Sequence, residues 1–218
     1  MLVCANIIIG LLTFTGLGVK ISSAIMGLGE AYLILSLSMA AGLVLILGCG
    51  ITVTAAYIIG IVMAVPMLIA WGIEPMAAHL FVMYYSILGG ITPPVCPSVF
   101  LAANIAKASW VKTAWVALRL APLLYIVPFL FVFDNTFIMM GAPWAILLNV
   151  STAAAGAVIL VSGTMGQLIT KCKLYESLVL VAAGILLLIP GWTDLLGVAL
   201  VSIVIVRQIW KRKKDITK

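Results

Sequence analysis

A short stretch in the middle of the chain combines the residue types that interrupt a membrane helix. Apolar sequence predicts a helix at 76–88 and again at 96–106, and the segment between them contains Gly89, Gly90, Pro93 and Pro94. Proline lacks an N–H group and clashes with the preceding turn, so a regular helix cannot continue through this segment. In hydrocarbon, unwound backbone survives only inside protein or beside a polar cavity. The pattern therefore favours a ligand site at a broken helix over a simple kink, which usually needs one proline.

A second interruption lies between two apolar segments at 32–48 and 55–70. It contains Gly48, Gly50, Thr52 and Thr54 and no charged residue. The absence of charge argues against a loop in solvent, so we predict a re-entrant helical hairpin at 32–70 whose tip lies in the membrane. One long, locally flexible helix and two spans joined by a short turn are the alternatives.

Two helix breaks close together would present helix ends and unpaired carbonyl groups to one small volume. The N-terminus of a half-helix favours an anion, and unwound carbonyl groups suit a hard cation such as sodium. Threonine hydroxyls can bind either an oxygen-liking cation or substrate oxygens, although each can instead donate to the carbonyl one turn back. The candidate ion- and substrate-binding residues are Gly50, Thr52, Thr54, Gly90 and Thr92.

Enzyme chemistry has little support in this sequence. The only histidine is His79, and no carboxylate near it in sequence would favour proton transfer over a structural role. The four cysteines are scattered and show no spacing typical of a metal site or a disulfide framework; they are Cys4, Cys49, Cys96 and Cys172. We therefore expect no metal and no cofactor apart from a coupling sodium ion, and an intramembrane enzyme using His79 is the least favoured function.

The composition is that of an integral membrane protein. Of the 218 residues, 65% are hydrophobic and only 8% are charged, whereas soluble domains carry about 25% charged residues. An all-α, multi-pass helical bundle follows, because helices satisfy their own backbone hydrogen bonds in lipid. The net charge of +6 comes largely from a basic C-terminal run at 211–214 and Lys218, which next to a membrane segment favours contact with anionic lipid over nucleic acid.

The order of apolar segments predicts two parts. Residues 1–133 would form a transport scaffold with a first span at 1–19, an amphipathic connector at 20–29, the hairpin, the broken helix and a span at 113–133. Residues 134–218 would form a membrane extension with spans at 144–161, 174–189 and 195–209 and a basic cytoplasmic tail. The basic groups at 107/112, 171/173 and 211–214 lie an even number of crossings apart, so all three can be cytoplasmic while Glu74, Asp134 and Asp194 lie outside.

Several motifs resemble one family of transporters. They include Leu-Gly-Cys-Gly at 47–50, Ala-Ala-His-Leu-Phe-Val at 77–82, Ile-Thr-Pro-Pro-Val at 91–95 and Trp-Val-Ala-Leu-Arg-Leu at 115–120. Through them the sequence is similar to the large membrane subunit of tripartite ATP-independent periplasmic (TRAP) transporters. The similarity is to the branch in which the small and large permease subunits are fused, and it covers the second of the two inverted repeats and the C-terminal extension.

The resemblance implies a sodium-coupled elevator-type transporter of organic anions, often carboxylates, in a bacterial or archaeal cytoplasmic membrane. It also implies partners: a first-repeat permease half, a small permease subunit, an extracytoplasmic substrate-binding protein and the lipid bilayer. The hairpin tip departs from the family pattern, since Thr52-Val53 stands where Pro-Thr is usual. A membrane assembly or regulatory protein without transport of its own, or a truncated remnant of a permease, is the alternative function.

Overall fold

The computed structural model describes residues 7, 11, 14–16, 20, 23, 33–93, 95–168, 172, 174–189 and 193–216. Most of the first span at 1–19 and of the connector at 20–29 therefore lies outside the described residues, as does Pro94. Within the described ranges the regular secondary structure is helical. The prediction of an all-α, multi-pass membrane fold is confirmed.

The first group of helices surrounds the two predicted breaks. We number helices from the first one described; the bounds are α1 Leu33–Gly50, α2 Val53–Met63, α3 Val65–Ala70, α4 Pro75–Leu88, α5 Pro97–Ile105, α6 Trp110–Leu120 and α7 Pro122–Phe133, followed by a 3₁₀ helix at Asn135–Ile138. Three of these helices begin with proline, whose fixed φ and missing N–H group suit the first helical position. Helix α6 begins three residues before the predicted start of the span at 113–133.

Three longer helices follow, namely α8 at Pro143–Met165, α9 at Leu174–Leu188 and α10 at Thr193–Ile216. Helix α8 ends at Gly166, which adopts the left-handed conformation with φ 67°, a position that suits glycine because it has no Cβ. Helix α10 does not end at 209, as the apolar pattern predicts, but continues to Ile216. Lysine and arginine are good helix formers, so loss of apolar character does not end the helix.

Four helical stretches are long and apolar enough to cross a membrane, counted over the described residues. They are Leu33–Gly50, Val53–Ala70, Trp110–Phe133 and Pro143–Met165, and Pro75–Leu88 and Leu174–Leu188 are shorter apolar helices. An 18-residue helix is about 27 Å long, close to the thickness of the hydrocarbon core. This agrees with the membrane assignment made from composition.

The chain divides into two compact units, one formed by residues 1–118 and 127–138 and the other by 119–126 and 139–218. In the first unit an aromatic cluster lies within a largely aliphatic core: Phe81 is fully buried and contacts the rings of Tyr85 and Phe129, with centroids 4.9 and 5.7 Å away. Such edge-to-face and tilted contacts are preferred by aromatic rings. They hold the first half of the broken helix in place.

In the second unit small residues let the helices approach closely. A Cβ atom added to Gly184 of α9 would lie 2.7 Å from the backbone N of Leu160 in α8, and one added to Gly156 would lie 2.9 Å from Leu187. A similar contact joins Gly197 of α10 to Leu187. Because lipid provides no hydrophobic drive between helices, this close backbone approach is the usual basis of packing in membranes.

Candidate functional site

The first interruption separates α1 from α2 by only two residues, Ile51 and Thr52. Thr52 is extended, with φ −64° and ψ 148°, and its carbonyl accepts the first hydrogen bond of α2 from Ala56 N at 2.9 Å. The two arms contact each other, since a Cβ atom on Gly60 would lie 3.6 Å from Val44. The break therefore occurs where the sequence predicts it, and placement of its tip within the bilayer stays a prediction.

The second interruption separates α4 from α5 and is longer. Helix α4 ends at Leu88, and α5 begins after Cys96, which is held in the left-handed conformation at φ 33°. This conformation is costly for a residue with a side chain, and Pro97 follows it at the first helical position. A left-handed residue followed by a proline thus precedes the second half of the broken helix.

More backbone groups inside the second break form hydrogen bonds than the sequence suggests. The N–H groups of Gly90, Ile91 and Thr92 donate to carbonyl groups of Ile87 and Leu88 at 3.0–3.1 Å. The N–H group of Ser98 returns across the break to the carbonyl of Gly90 at 3.1 Å. These bonds stabilise the unwound segment, because a buried backbone group without a partner is costly.

The two breaks contact each other through backbone atoms at Gly48 and Gly89, which have no side chain. A Cβ atom on Gly89 would lie 2.5 Å from the Cα of Gly48, and one on Gly48 would lie 2.7 Å from the carbonyl oxygen of Ser86. Neither glycine has a positive φ, so close approach is the reason that both positions need glycine. The end of the first helical arm therefore packs directly on the end of the first half of the broken helix.

A side chain also bridges the two breaks. The thiol of Cys49 donates to the carbonyl of Thr92, with an Sγ–O distance of 3.7 Å. The hydroxyl of Thr92 itself donates to the carbonyl of Leu88 at 2.6 Å, which is the local bond open to any helical threonine. A hydroxyl oxygen is in general also a hydrogen-bond acceptor and a possible cation ligand.

The structure brings some of the predicted binding residues together and leaves others at the surface. Gly90 is buried and Thr92 is half-buried at the second break, whereas Gly50, Thr52 and Thr54 are exposed at the first. The described contacts place Cys49, rather than either exposed threonine, against the second break. Sequence reasoning did not count Cys49 as a site residue, although its position between Gly48 and Gly50 was a usable signal.

One further contact joins α2, which follows the first break, to α4, which precedes the second break. The hydroxyl of Tyr57 in α2 lies 3.2 Å from Nδ1 of His79 in α4. The pair supports the structural role favoured for His79. Apart from Glu74, no charged residue occurs between positions 33 and 106, so the polarity of the site comes from backbone groups, hydroxyls and this pair.

Comparison with known families decides the class of the protein. The family described as "Tripartite ATP-independent periplasmic transporter, DctM component" matches residues 1–142, which is more than half of the chain. The chain belongs to this family. It is thus the membrane component of a secondary transporter and not an enzyme, and it is a multi-pass protein of the inner membrane.

The rest of the permease matches a second family, described as "Domain of unknown function (DUF3394)", over residues 146–211. This match includes all of α9 and most of α8 and α10. No curated protein and no solved structure matches the permease. Membership of the first family implies association with a small permease subunit and a substrate-binding protein, and the resemblance noted in the motifs is confirmed at the level of the large permease component.

Proposed function

We propose that the permease takes up organic anions such as carboxylates, coupled to sodium, at the place where its two helix breaks meet. The observation that carries this proposal is the contact between Gly48 and Gly89, since it brings both breaks into one small volume. Irregular backbone at membrane depth is characteristic of transporter binding sites. The absence of charged side chains between 33 and 106 other than Glu74 supports the same conclusion, because it leaves the backbone as the principal binding chemistry.

The second break suits the cation. Pro97 has no N–H group, and the N–H groups of Ser98, Val99 and Phe100 donate to backbone carbonyls at 3.0–3.1 Å. The start of α5 is therefore a poor anion site. Carbonyl oxygens of the unwound segment and the hydroxyl oxygen of Thr92 are instead the ligands that a hard cation prefers.

The first break suits the anion. The first N–H groups of a helix have no partner within that helix, and in α2 they belong to Val53, Thr54 and Ala55. These N–H groups lie at the positive end of the helix dipole, where Thr52 and Thr54 are exposed. Because no lysine or arginine occurs in 33–106, a co-bound sodium ion would balance part of the substrate charge, which gives a physical reason for coupling.

The two breaks would form one half of the carrier site. The resemblance to TRAP permeases implies a first inverted repeat that supplies the other half, together with a small permease subunit. An extracytoplasmic binding protein would deliver the substrate. In this arrangement the C-terminus is cytoplasmic, and a transport cycle requires the opposing repeat.

The proposal is tested by uptake into liposomes that contain the complete transporter with its binding protein. A panel of carboxylates is offered with and without an inward sodium gradient. We expect sodium-dependent uptake, and we expect Thr92→Ala to lower uptake at limiting sodium about tenfold, which corresponds to loss of about 1.4 kcal/mol of binding.

Thr113→Ala is the matched control for this substitution. The hydroxyl of Thr113 donates to the carbonyl of Ser109 at 3.0 Å, the same local bond as in Thr92, but it lies outside the breaks. It should leave uptake unchanged. Equal loss in both variants, or uptake that is indifferent to sodium, would contradict the proposed site.

A further inference from the structure

His79 has one ring nitrogen in a hydrogen bond and one that is open. Its Nδ1 lies 3.2 Å from the hydroxyl of Tyr57, and the two rings meet edge to face with centroids 6.5 Å apart. Within the part of the chain that the structure describes, this is the one hydrogen bond of His79. Its Nε2 is not among the polar atoms that the described fold buries without a partner, so this nitrogen is accessible.

The contact with Tyr57 bears on which nitrogen carries the ring proton. A neutral imidazole has one acceptor nitrogen and one N–H group. A phenol hydroxyl donates more strongly than it accepts, because the aromatic ring withdraws electron density from the oxygen. The arrangement in which Tyr57 donates to Nδ1 is therefore favoured, and it leaves the proton of His79 on Nε2. The open edge of the imidazole is then an N–H donor.

The pair lies toward the end of α2 where the anion is proposed to bind. Tyr57 follows Val53, the first residue of α2, by about 6 Å along the helix axis. Side chains of a helix lean toward its N-terminus, so Tyr57 covers the first turn of α2. Thr54 is exposed in this turn. Because His79 contacts the hydroxyl at the tip of Tyr57, it is held toward the same end of the helix.

Side-chain N–H donors are scarce around the two breaks. Between positions 33 and 93 the sequence has no lysine, arginine, asparagine or glutamine, and only Trp71 and His79 carry a side-chain nitrogen. Trp71 follows the end of α3, whereas His79 contacts α2 directly. An anion that leaves water needs hydrogen-bond donors in place of its hydration. His79 is thus the side chain best suited to assist the backbone N–H groups of α2.

We propose that the Nε2–H group of His79, oriented by Tyr57, donates a hydrogen bond to the carboxylate of the transported anion. This inference rests on the proposed function, because it takes the substrate to bind at the first break. The N–H groups of α2 attract the negative charge, and His79 adds a donor of fixed direction. A hydrogen bond to a charged acceptor is stronger than one between neutral groups, so His79 contributes to substrate affinity as well as to helix packing.

The first test is equilibrium binding to the purified membrane components of the complete transporter. The binding protein is omitted so that its own substrate site does not contribute. The probes are radiolabelled acetate, lactate and succinate at saturating sodium, which share the carboxylate group and differ in size. His79→Phe keeps an aromatic ring but removes both nitrogens, and it should raise the dissociation constant about tenfold or more. His79→Gln can accept from Tyr57 and donate an amide N–H to the substrate, so it should bind within about threefold of the unmodified permease.

Tyr57→Phe separates substrate binding from helix packing, because it removes the same hydrogen bond between α2 and α4 and keeps the imidazole. It should weaken binding only about twofold, since one of two tautomers must then be selected. Tyr84→Phe is the matched control in α4, where Tyr84 contacts Phe131 edge to face at 5.3 Å, and it should leave affinity unchanged. Unchanged affinity in His79→Phe, or a loss no larger than that in Tyr57→Phe, would overturn the proposal.

A spectroscopic measurement on the unmodified permease does not depend on any variant folding. His79 is the only histidine in the 218 residues, so a permease labelled with ¹⁵N-histidine and assembled with unlabelled partners gives signals from this ring alone. At about pH 8.5, where an imidazole ordinarily carries one proton, the spectrum should show that proton on Nε2. Saturating acetate, lactate or succinate with sodium should shift the Nε2 signal more than the Nδ1 signal. A proton on Nδ1, or an Nε2 signal that none of the three probes moves, would overturn the proposal.

This inference and the proposed function fail in different ways. Sodium-dependent uptake together with an unmoved Nε2 signal would remove His79 from the site and leave the proposed function intact. Uptake that is indifferent to sodium would contradict the proposed function. A shift of the Nε2 signal on addition of a carboxylate would still identify His79 as the donor in that case.

Discussion

At the scale of single residues, Gly48 and Gly89 determine how closely the two helix breaks approach. Both have backbone angles open to any residue, and only the space between them excludes a side chain. Their role is therefore steric and not conformational. This distinction can be tested because Gly50, two residues from Gly48, has nothing within 4 Å of an added Cβ.

We predict that Gly89→Ala separates the breaks and that Gly50→Ala does not. The new methyl group would lie 2.5 Å from the Cα of Gly48 and 2.6 Å from the N of Cys49, and both obstacles are backbone atoms. Overpacking of this kind costs about 1–3 kcal/mol. Thermal unfolding in detergent should show a lower midpoint for Gly89→Ala, and transport should fall as well. Equal midpoints for the two variants would mean that the close contact is absent in the native protein.

The threonine residues at the two breaks differ in their exposure and in their hydrogen bonds. Thr92 donates its proton to the carbonyl of Leu88, which is why the proposed function gives it the role of a cation ligand through its oxygen. Thr52 and Thr54 are exposed at the start of α2. This difference is the basis for placing the cation at the second break and the anion at the first.

At the scale of helices, the arm after the first break is tied to the helix before the second. Gly60 of α2 lies against Val82 of α4, with an added Cβ only 2.6 Å from Cγ1 of that valine. One turn away, Tyr57 and His79 form a hydrogen bond of 3.2 Å. Helices α2 and α4 are thus held by both packing and a polar contact.

We predict that Tyr57→Phe weakens this connection by about 0.5–1.5 kcal/mol, the usual net contribution of one hydrogen bond. A double-mutant cycle with His79→Ala, read by unfolding in detergent, isolates the coupling between the two side chains. Tyr84→Phe is the control, because Tyr84 lies in the same helix as His79 and makes an edge-to-face contact with Phe131 at 5.3 Å. A coupling energy near zero between Tyr57 and His79 would show that the bond contributes nothing.

At the scale of the whole molecule, the distribution of charge predicts orientation. Lys107 and Lys112 flank the start of the helical stretch Trp110–Phe133, and this stretch and Pro143–Met165 precede the basic residues at 171/173 in the chain. Helix α9 and the apolar part of α10 at 195–209 lie between the latter and the basic run at 211–214. An even number of crossings keeps all three groups on one side, and short loops rich in lysine and arginine stay in the cytoplasm.

We therefore predict that the C-terminus is cytoplasmic and that Glu74 and Asp134 face outward. Reporter fusions after Lys218 and within 134–142 check this: an alkaline phosphatase domain should be active only in the second fusion and a green fluorescent domain only in the first. An extracytoplasmic C-terminus would mean that the permease, with its two breaks, has the opposite orientation in the membrane.

The sequence alone determined where the helices are interrupted. Glycine frees the backbone and proline restricts it, and both effects act locally, whatever surrounds the residue. The ends of α1 at Gly50 and of α4 at Leu88 therefore follow from the local sequence pattern. The membrane class follows from composition in the same direct way. The sequence pattern did not predict the end of α10, because charged residues change the solvation of a helix without opposing its geometry.

Only the tertiary structure decided which of these local features meet. The contacts of Gly48 with Gly89, of Cys49 with Thr92 and of Cys172 with Gln208 join residues at least 36 positions apart. Such contacts depend on how helix faces pack, and the apolar faces of membrane helices look alike in sequence because lipid and protein interior are equally apolar.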